Sequence, residues 1–105
     1  MTLMFFDGYA VTEGHALVIP KRHVASVFDL PNDELAALWM QVGVVRKLLG
    51  DKYHPDAFNI GVNDGVAAGQ TVPHAHIHVI PRRKGDVADP RGGVRWIIPG
   101  KAKYW

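Results

Sequence analysis

The chain has 105 residues, enough for one domain with a single core and too few for two domains of ordinary size. Its 48% hydrophobic and 21% charged residues argue against a disordered or membrane-spanning protein. The lack of cysteine excludes a disulfide framework, thiolate catalysis and cysteine-ligated zinc. Asp7 interrupts the apolar start of the chain, so we expect no signal peptide. These features predict one domain over residues 1–105 with a cytoplasmic location.

Charge is distributed unevenly along the chain. Residues 1–81 carry 5 basic and 8 acidic side chains, whereas residues 82–105 carry 7 basic and 2 acidic ones. The Gly- and Pro-rich segment 84–105 is therefore a basic tail, which we expect to be a solvated surface segment with aromatic residues packing on a second subunit. Because the overall charge is modest, neither nucleic acid nor a membrane is an expected partner.

The first part of the chain predicts short strands. Residues 5–6 are followed by the turn residues Asp7-Gly8 and by an extended piece at 9–11. The β-rich run 15–19 ends at Pro20, which cannot donate to a ladder.

The middle of the chain predicts one long helix. Asn32, Asp33 and Glu34 are residue types that a helix N-terminus favours. Apolar residues then recur at helical spacing as far as Gly50, and we expect them in the core: Leu35, Leu38, Trp39, Val42 and Leu49.

Two further strands show alternating side chains. Residues 57–63 place Phe58, Ile60 and Val62 on one side, and residues 72–80 alternate in the same way. The small-residue loop between them predicts a hairpin. This order of elements indicates an α+β fold, in which an antiparallel sheet of about five strands carries one main helix on one face.

Three of the six histidines lie in the second of these strands. On a strand, His74, His76 and His78 point to one face, while the alternate residues point into the core. A polar surface, or a core histidine satisfied by hydrogen bonds, would explain one such residue. It does not explain three in register after a glycine-rich loop.

Alternating histidines can also bind zinc. Same-face residues on a strand are about 6.6–7 Å apart, so the outer pair is separated by ~13 Å at the backbone. Zinc ligands lie about 2.0–2.1 Å from the ion, so a straight strand brings only two of the three to one metal. We therefore expect no metal site and no required cofactor, although a divalent metal can accompany a polyphosphate substrate.

Nucleophilic catalysis uses all three histidines. A neutral imidazole attacks phosphorus well, and its reactivity depends on what holds its other ring nitrogen. His76 has a histidine on each side, one of which can protonate a leaving group. The preceding loop offers backbone N–H groups at Gly65 and Gly69, the amide of Gln70 and the hydroxyl of Thr71 to a phosphate. This pattern predicts attack of His76 on the α-phosphorus of a nucleotide.

The segment His74–Ile80 resembles, at every position, the motif of the histidine triad (HIT) family: histidine-apolar-histidine-apolar-histidine-apolar-apolar. Residues 14–23, 59–63 and 69–72 are also similar to the family pattern. The resemblance therefore runs from about Phe6 to Arg83. The chain departs from the pattern at Ala10 and Glu13, where the family usually or often has proline.

The resemblance implies a role for individual residues. His76 would be the nucleophile, with His74, His78 and His15 as its hydrogen-bonding and proton-relay partners. Asp7 matches the acidic residue that binds the ribose hydroxyls. The residues matched to the phosphate contacts and their loop are Asn63, Gly69, Gln70 and Thr71. The family also implies a homodimer with one continuous sheet, in which the C-terminal segments lie near the partner's site.

Within the family, the likeness is greatest to the dinucleoside polyphosphate hydrolases of the fragile-histidine-triad branch. We therefore expect hydrolysis of diadenosine polyphosphates at the α-phosphate, through an adenylyl-His76 intermediate. A nucleoside phosphoramidate hydrolase of the same family and a non-catalytic nucleotide-binding sensor are the alternatives. His23 and His54 are expected to be exposed and outside the catalytic set.

Overall fold

The computed structural model describes residues 1–105 and contains one antiparallel sheet of four strands. The strands are β1 (Thr2–Phe6), β2 (Ala16–Pro20), β3 (Ala57–Gly61) and β4 (Ile77–Arg82), and they lie in the order β1-β2-β4-β3. The helices are α1 (Asn32–Tyr53) and the short α2 (Pro99–Ala102), with 3₁₀ turns at Val27–Asp29, Val66–Ala68 and Gly93–Ile97. The expected α+β architecture with one main helix is confirmed.

The sheet has four strands and not about five, because residues 9–11 form turns and bends. The N–H of Tyr9 donates to Oδ1 of Asp7 at 2.8 Å. The N–H of Val11 donates to Nδ1 of His15 at 3.2 Å. Because these N–H groups donate to side chains nearby in the sequence, the N–H groups cannot pair with a neighbouring strand.

Strand β4 begins later than the alternation predicts, since residues 72–76 are not in a strand. Pro73 has no N–H, and the N–H of Ala75 donates to the carbonyl of Val24 at 2.8 Å. Burial nevertheless alternates as expected from residue 75 onward, with Ala75, Ile77 and Val79 buried. The predicted hairpin is confirmed, because β3 and β4 pair from residues 57 and 82 to residues 61 and 78.

Helix α1 covers one face of the sheet. Its buried residues Leu38, Val42, Val45 and Leu49 share one core with Val18, Ile77 and Val79 of the strands. The helix continues past the expected end near residue 50 and ends at Tyr53, because the next residue, His54, has the left-handed φ of 49°. Trp39 was expected in the core but is 41% exposed. It is one residue after the buried Leu38, and one residue along a helix turns a side chain by about 100°.

The opposite face of the sheet, which we call the histidine face, carries His78, Ile80 and Arg82 of β4. The register places Leu17 beside His78 and Asn59 beside Ile80 on this face. The C-terminal segment lies against it. None of the helices combines the length and apolar character that crossing a membrane requires.

Candidate active site

The pairing of β2 with β4 brings two distant histidines together. In the register, Ala16 lies beside Val79 and Leu17 lies beside His78. His15 comes just before β2 and therefore lies close to His78. Nε2 of His15 is 2.9 Å from Nδ1 of His78, and the two ring centroids are 5.1 Å apart. His15 is only 3% exposed. The sheet therefore holds this pair of rings in a fixed and partly desolvated position.

The hydrogen bonds around His15 determine which ring nitrogens carry hydrogen. Nδ1 of His15 accepts the N–H of Val11, so the hydrogen of the neutral ring is on Nε2. That Nε2–H donates to Nδ1 of His78. The hydrogen of His78 is then on its own Nε2, which remains available to a ligand or solvent.

The ring of His76 has the opposite tautomer. Its Nδ1 lies 2.8 Å from the carbonyl oxygen of His74. A carbonyl oxygen only accepts, so Nδ1–H is the donor and Nε2 of the neutral ring holds a lone pair. The ring contacts that of His78, with centroids 5.2 Å apart. A lone pair held in this way is what nucleophilic attack on phosphorus requires.

Asp7 completes the cluster from the end of β1. Its Oδ2 is 3.4 Å from Nε2 of His15 and 4.0 Å from Nδ1 of His78. Burial lowers the pKa of His15, and Asp7 opposes that effect. Burial also lowers the pKa of His78, with smaller contributions from the neighbouring His76 and His15. Both His15 and His78 are therefore neutral at pH 7.

Asp7, His15 and His78 each offer an atom that could bind a metal, and these atoms lie within 4.8 Å of one another. One carboxylate and two imidazoles form a set that zinc accepts. In this arrangement, however, Nε2 of His15 carries hydrogen because Val11 donates to the other ring nitrogen. The lone pair on Nδ1 of His78 accepts that hydrogen. The contacts therefore favour a hydrogen-bonded chain over a metal centre.

His74 lies apart from the other rings. Its Nε2–H donates to the carbonyl of Pro20 at 2.8 Å, and its ring packs edge-on against His23, with centroids 4.6 Å apart. The expectation of three imidazoles in one row is wrong in this respect, because the segment before β4 is not a strand. The contiguous rings are those of His76, His78 and His15. His74 reaches His76 through its backbone carbonyl.

The predicted phosphate loop is partly closed on itself. Gly65 donates its N–H to Oε1 of Gln70, and the amide nitrogen of Gln70 donates to the carbonyls of Ala25 and Val72. The N–H of Gly69 donates to the carbonyl of residue 66. Gln70 and Gly69 thus shape the loop in this conformation. Thr71 is exposed and Asn63 is half-buried, and phosphate contact by any of these residues stays a prediction.

Val11 and Thr12, in the segment before His15, contribute to the site although the sequence did not predict a role for either. Val11 acts through its backbone N–H, which no side-chain pattern shows. The hydroxyl of Thr12 donates to the carbonyl of Pro81 at 2.7 Å and ties this segment to β4. The one available signal was Gly14, whose positive φ of 87° marks a turn just before the histidine.

Comparison with known proteins gives a consistent result. The family model described as HIT domain matches residues 1–85. The bis(5'-nucleosyl)-tetraphosphatase [asymmetrical] of Schizosaccharomyces pombe is 46% identical over 85% of this chain and 49% of its own length. The bis(5'-adenosyl)-triphosphatase of Dictyostelium discoideum is 42% identical over 72% of this chain and 51% of its own length.

A solved structure shows the same fold. The crystal structure of the Caenorhabditis elegans NitFhit protein superposes with a TM-score of 0.79 at 41% identity, covering 91% of this chain and 23% of that one. The chain spans about half the length of the two curated relatives above.

Proposed function

We propose that this chain, which belongs to the HIT-domain family, is a nucleotide hydrolase that cleaves dinucleoside polyphosphates of the diadenosine type at the α-phosphate. The observation that carries the proposal is the hydrogen bond from Nδ1 of His76 to the carbonyl of His74, which leaves Nε2 free to attack. The names of the two relatives, a tetraphosphatase and a triphosphatase, agree with this substrate class.

The proposed reaction has two steps. Nε2 of His76 forms a bond to the α-phosphorus while the bond from phosphorus to the bridging oxygen breaks, and the rest of the polyphosphate departs as an anion. The carbonyl of His74 stabilises the positive charge that the ring gains, because it accepts Nδ1–H. Water then attacks phosphorus, the N–P bond breaks, and His76 regains its lone pair while a water proton passes to solvent.

His78 serves the leaving group in this scheme. Its hydrogen is on Nε2, and burial keeps the ring neutral by lowering its pKa. A neutral ring donates a hydrogen bond to the departing oxygen and does not transfer a full proton. The chain from Val11 through His15 holds His78 in the tautomer that makes this donation.

The test is substitution of His76. His76→Ala is expected to reduce turnover of diadenosine tetraphosphate by more than about 10³-fold and to leave folding and nucleotide binding largely intact. Rapid quenching and intact-mass measurement should find one nucleotidyl adduct on the wild-type protein and none on the variant. His54→Asn is the matched control, since Asn tolerates the left-handed backbone at this position outside the site. Full activity of the His76 variant would exclude the mechanism.

Substrate comparison separates the alternatives. Faster turnover of an adenosine phosphoramidate than of diadenosine tetraphosphate would favour the phosphoramidate hydrolase, and tight binding without turnover of either would favour a sensor. A strong chelator should leave formation of the adduct unchanged. Loss of the adduct that zinc restores would instead support a metal centre at Asp7, His15 and His78.

The proposal includes one domain over residues 1–105 and a homodimer. Met40, Val44 and Leu48 lie four residues apart along α1 and are 74%, 52% and 54% exposed, which makes an apolar stripe. An exposed stripe of this kind is typical of a surface that binds another protein. The cytoplasmic location and the contact of Asp7 with ribose stay predictions.

A further inference from the structure

A separate cavity lies on the histidine face, farther along β4 than His78. Its volume is about 550 Å³. Ile80 and Arg82 line it from β4, Val11 lines it from the segment before His15, and Val94 and Trp96 line it from the C-terminal 3₁₀ turn. Small-molecule sites have volumes of about 300–1,000 Å³, so a nucleoside-sized ligand fits.

The charged groups of the cavity wall are already paired. Arg82 donates from Nε and Nη2 to the two carboxylate oxygens of Asp86, and from Nη1 to Oδ1 of Asn59. Asp89, also in the wall, is paired with Arg91. No cation of the wall is left for a phosphate, and a buried anion would face two carboxylates. The cavity therefore suits an uncharged ligand.

The uncharged ligand that fits is a flat ring with polar edges. Trp96, Val94 and Ile80 supply an apolar wall, and the indole N–H of Trp96 is held by the carbonyl of Arg91 at 2.9 Å. Asn59 accepts from Arg82 through Oδ1, so its amide nitrogen remains able to donate to a ring nitrogen or carbonyl. A nucleobase has this combination of an apolar face and acceptor atoms.

The position of the cavity relative to the histidines identifies which nucleoside it would hold. Ile80 follows His78 by two residues on the same face of β4, which places their side chains about 7 Å apart. Val11, which lines the cavity, also donates its N–H to His15. Asp7 lies on the other side of the histidines, because β1 and β3 are opposite edges of the sheet. One substrate can therefore place its phosphates at the histidines and a nucleoside on each side.

We propose that this cavity binds the second nucleoside of a dinucleoside polyphosphate, the one that departs with the leaving group. The inference rests on the proposed function. It gives the C-terminal segment, which the family match at residues 1–85 does not reach, a part in substrate selection.

The first experiment fills the cavity. Val94→Trp places a large side chain in the wall, and Ile97→Trp is the matched control, because Ile97 is 80% exposed on the same 3₁₀ turn and does not line the cavity. The measurement is the ratio of kcat/KM for diadenosine tetraphosphate to that for adenosine 5'-tetraphosphate, whose leaving group lacks a nucleoside. We expect Val94→Trp to lower this ratio by about tenfold, mainly through KM, and Ile97→Trp to leave it unchanged. An unchanged ratio in Val94→Trp would overturn the inference.

The second experiment does not depend on turnover. Adenosine is titrated into the wild-type protein while methyl NMR signals of Ile80, Val87 and Val94 are followed. Saturable shifts of Ile80 and Val87 that disappear in Val94→Trp and persist in Ile97→Trp would support the cavity even if no dinucleoside polyphosphate is hydrolysed. Adenosine-dependent shifts confined to Leu17 and Ile19 would overturn the inference. Shifts of the cavity methyl groups that change with protein concentration and not with adenosine concentration would also overturn it. Failure of the proposed function and failure of the cavity therefore give different results.

Discussion

Burial controls the protonation of the two histidines that meet between β2 and β4. His15 and His78 share one hydrogen bond, and both have a pKa below the ordinary value of 6.5 because their charged forms are poorly solvated. Their neutral state keeps the chain from Val11 to His78 in one tautomeric order. The same burial has a consequence for stability, since the unfolded chain binds protons that the folded chain resists.

We expect the free energy of unfolding to fall as the pH drops below about 6.5. In that range the unfolded chain binds more protons than the folded one, so stability rises with pH and is lost on acidification until the folded pKa of each ring is passed. Each ring contributes up to about 1.4 kcal/mol per pH unit within this window. Urea unfolding at pH 7, 6 and 5 measures the slope.

His78→Asn removes one of the two titrating rings and should make that slope shallower. Carboxylates do not account for a loss in this range, because they titrate at lower pH. Equal stability of the wild-type protein at pH 7 and pH 5 would contradict the neutral assignment.

The elements were largely predictable where burial alternates or recurs. The stripe of Leu38, Val42 and Leu49 predicted α1, and the alternation of residues 57–63 predicted β3. The sequence could not show that residues 9–11 and 72–76 leave the sheet, because their N–H groups find the Asp7 carboxylate, the His15 ring and a distant carbonyl. Those acceptors exist only after folding.

The same limit applied to the site. The resemblance to the HIT family identified His76, His78 and His15, which the fold places side by side. The tautomer of His76 depends on where the carbonyl of His74 points, and the position of His74 depends on Pro20. The tautomer of His76 and the position of His74 cannot be predicted from residue types alone. The role of the Val11 N–H cannot be predicted from them either.

The segment between Asp7 and His15 depends on one glycine. Gly14 has a φ of +87°, and a Cβ added there would lie 2.8 Å from Cδ2 of Tyr53 at the end of α1. Gly14→Ala should therefore lower the free energy of unfolding by about 2–4 kcal/mol, from backbone strain together with the steric clash. Gly43→Ala is the opposite control, since nothing lies within 4 Å of its added Cβ and alanine stabilises a helix by about 0.5–1 kcal/mol.

Thermal or urea unfolding of the two glycine variants checks both signs. Because the Gly14 change also displaces the segment that holds His15, we expect activity per folded molecule to fall in that variant and not in the Gly43 variant. A Gly14→Ala protein with wild-type stability would show that the turn adjusts freely.

For the molecule as a whole, the C-terminal segment is an ordered part of the fold and not the solvated tail that its composition indicates. Arg91 lies over the ring of Trp105 at 4.6 Å, and Arg95 lies over Tyr104 at 4.9 Å. Arg95 also donates to the carbonyls of residues 101 and 102. The basic and aromatic residues thus contact one another and order the segment that supplies Val94 and Trp96 to the cavity wall.

Helix α1 gives the whole molecule a second apolar surface, and it leads to a prediction about assembly. The stripe of Met40, Val44 and Leu48 lies opposite the buried side of the helix and is covered by no other part of the chain.

If a second copy covers this stripe, Val44→Glu buries a charge without a partner, which costs about 2 kcal/mol or more and raises the dissociation constant of the dimer about 30-fold or more. Sedimentation equilibrium measures that constant. Ile97→Glu makes the same kind of change, from an apolar to an acidic residue, at a position that is 80% exposed in the C-terminal 3₁₀ turn and away from α1, so it should change the constant much less. A wild-type chain that sediments as a monomer at high concentration, or equal effects of the two variants, would assign the stripe another role.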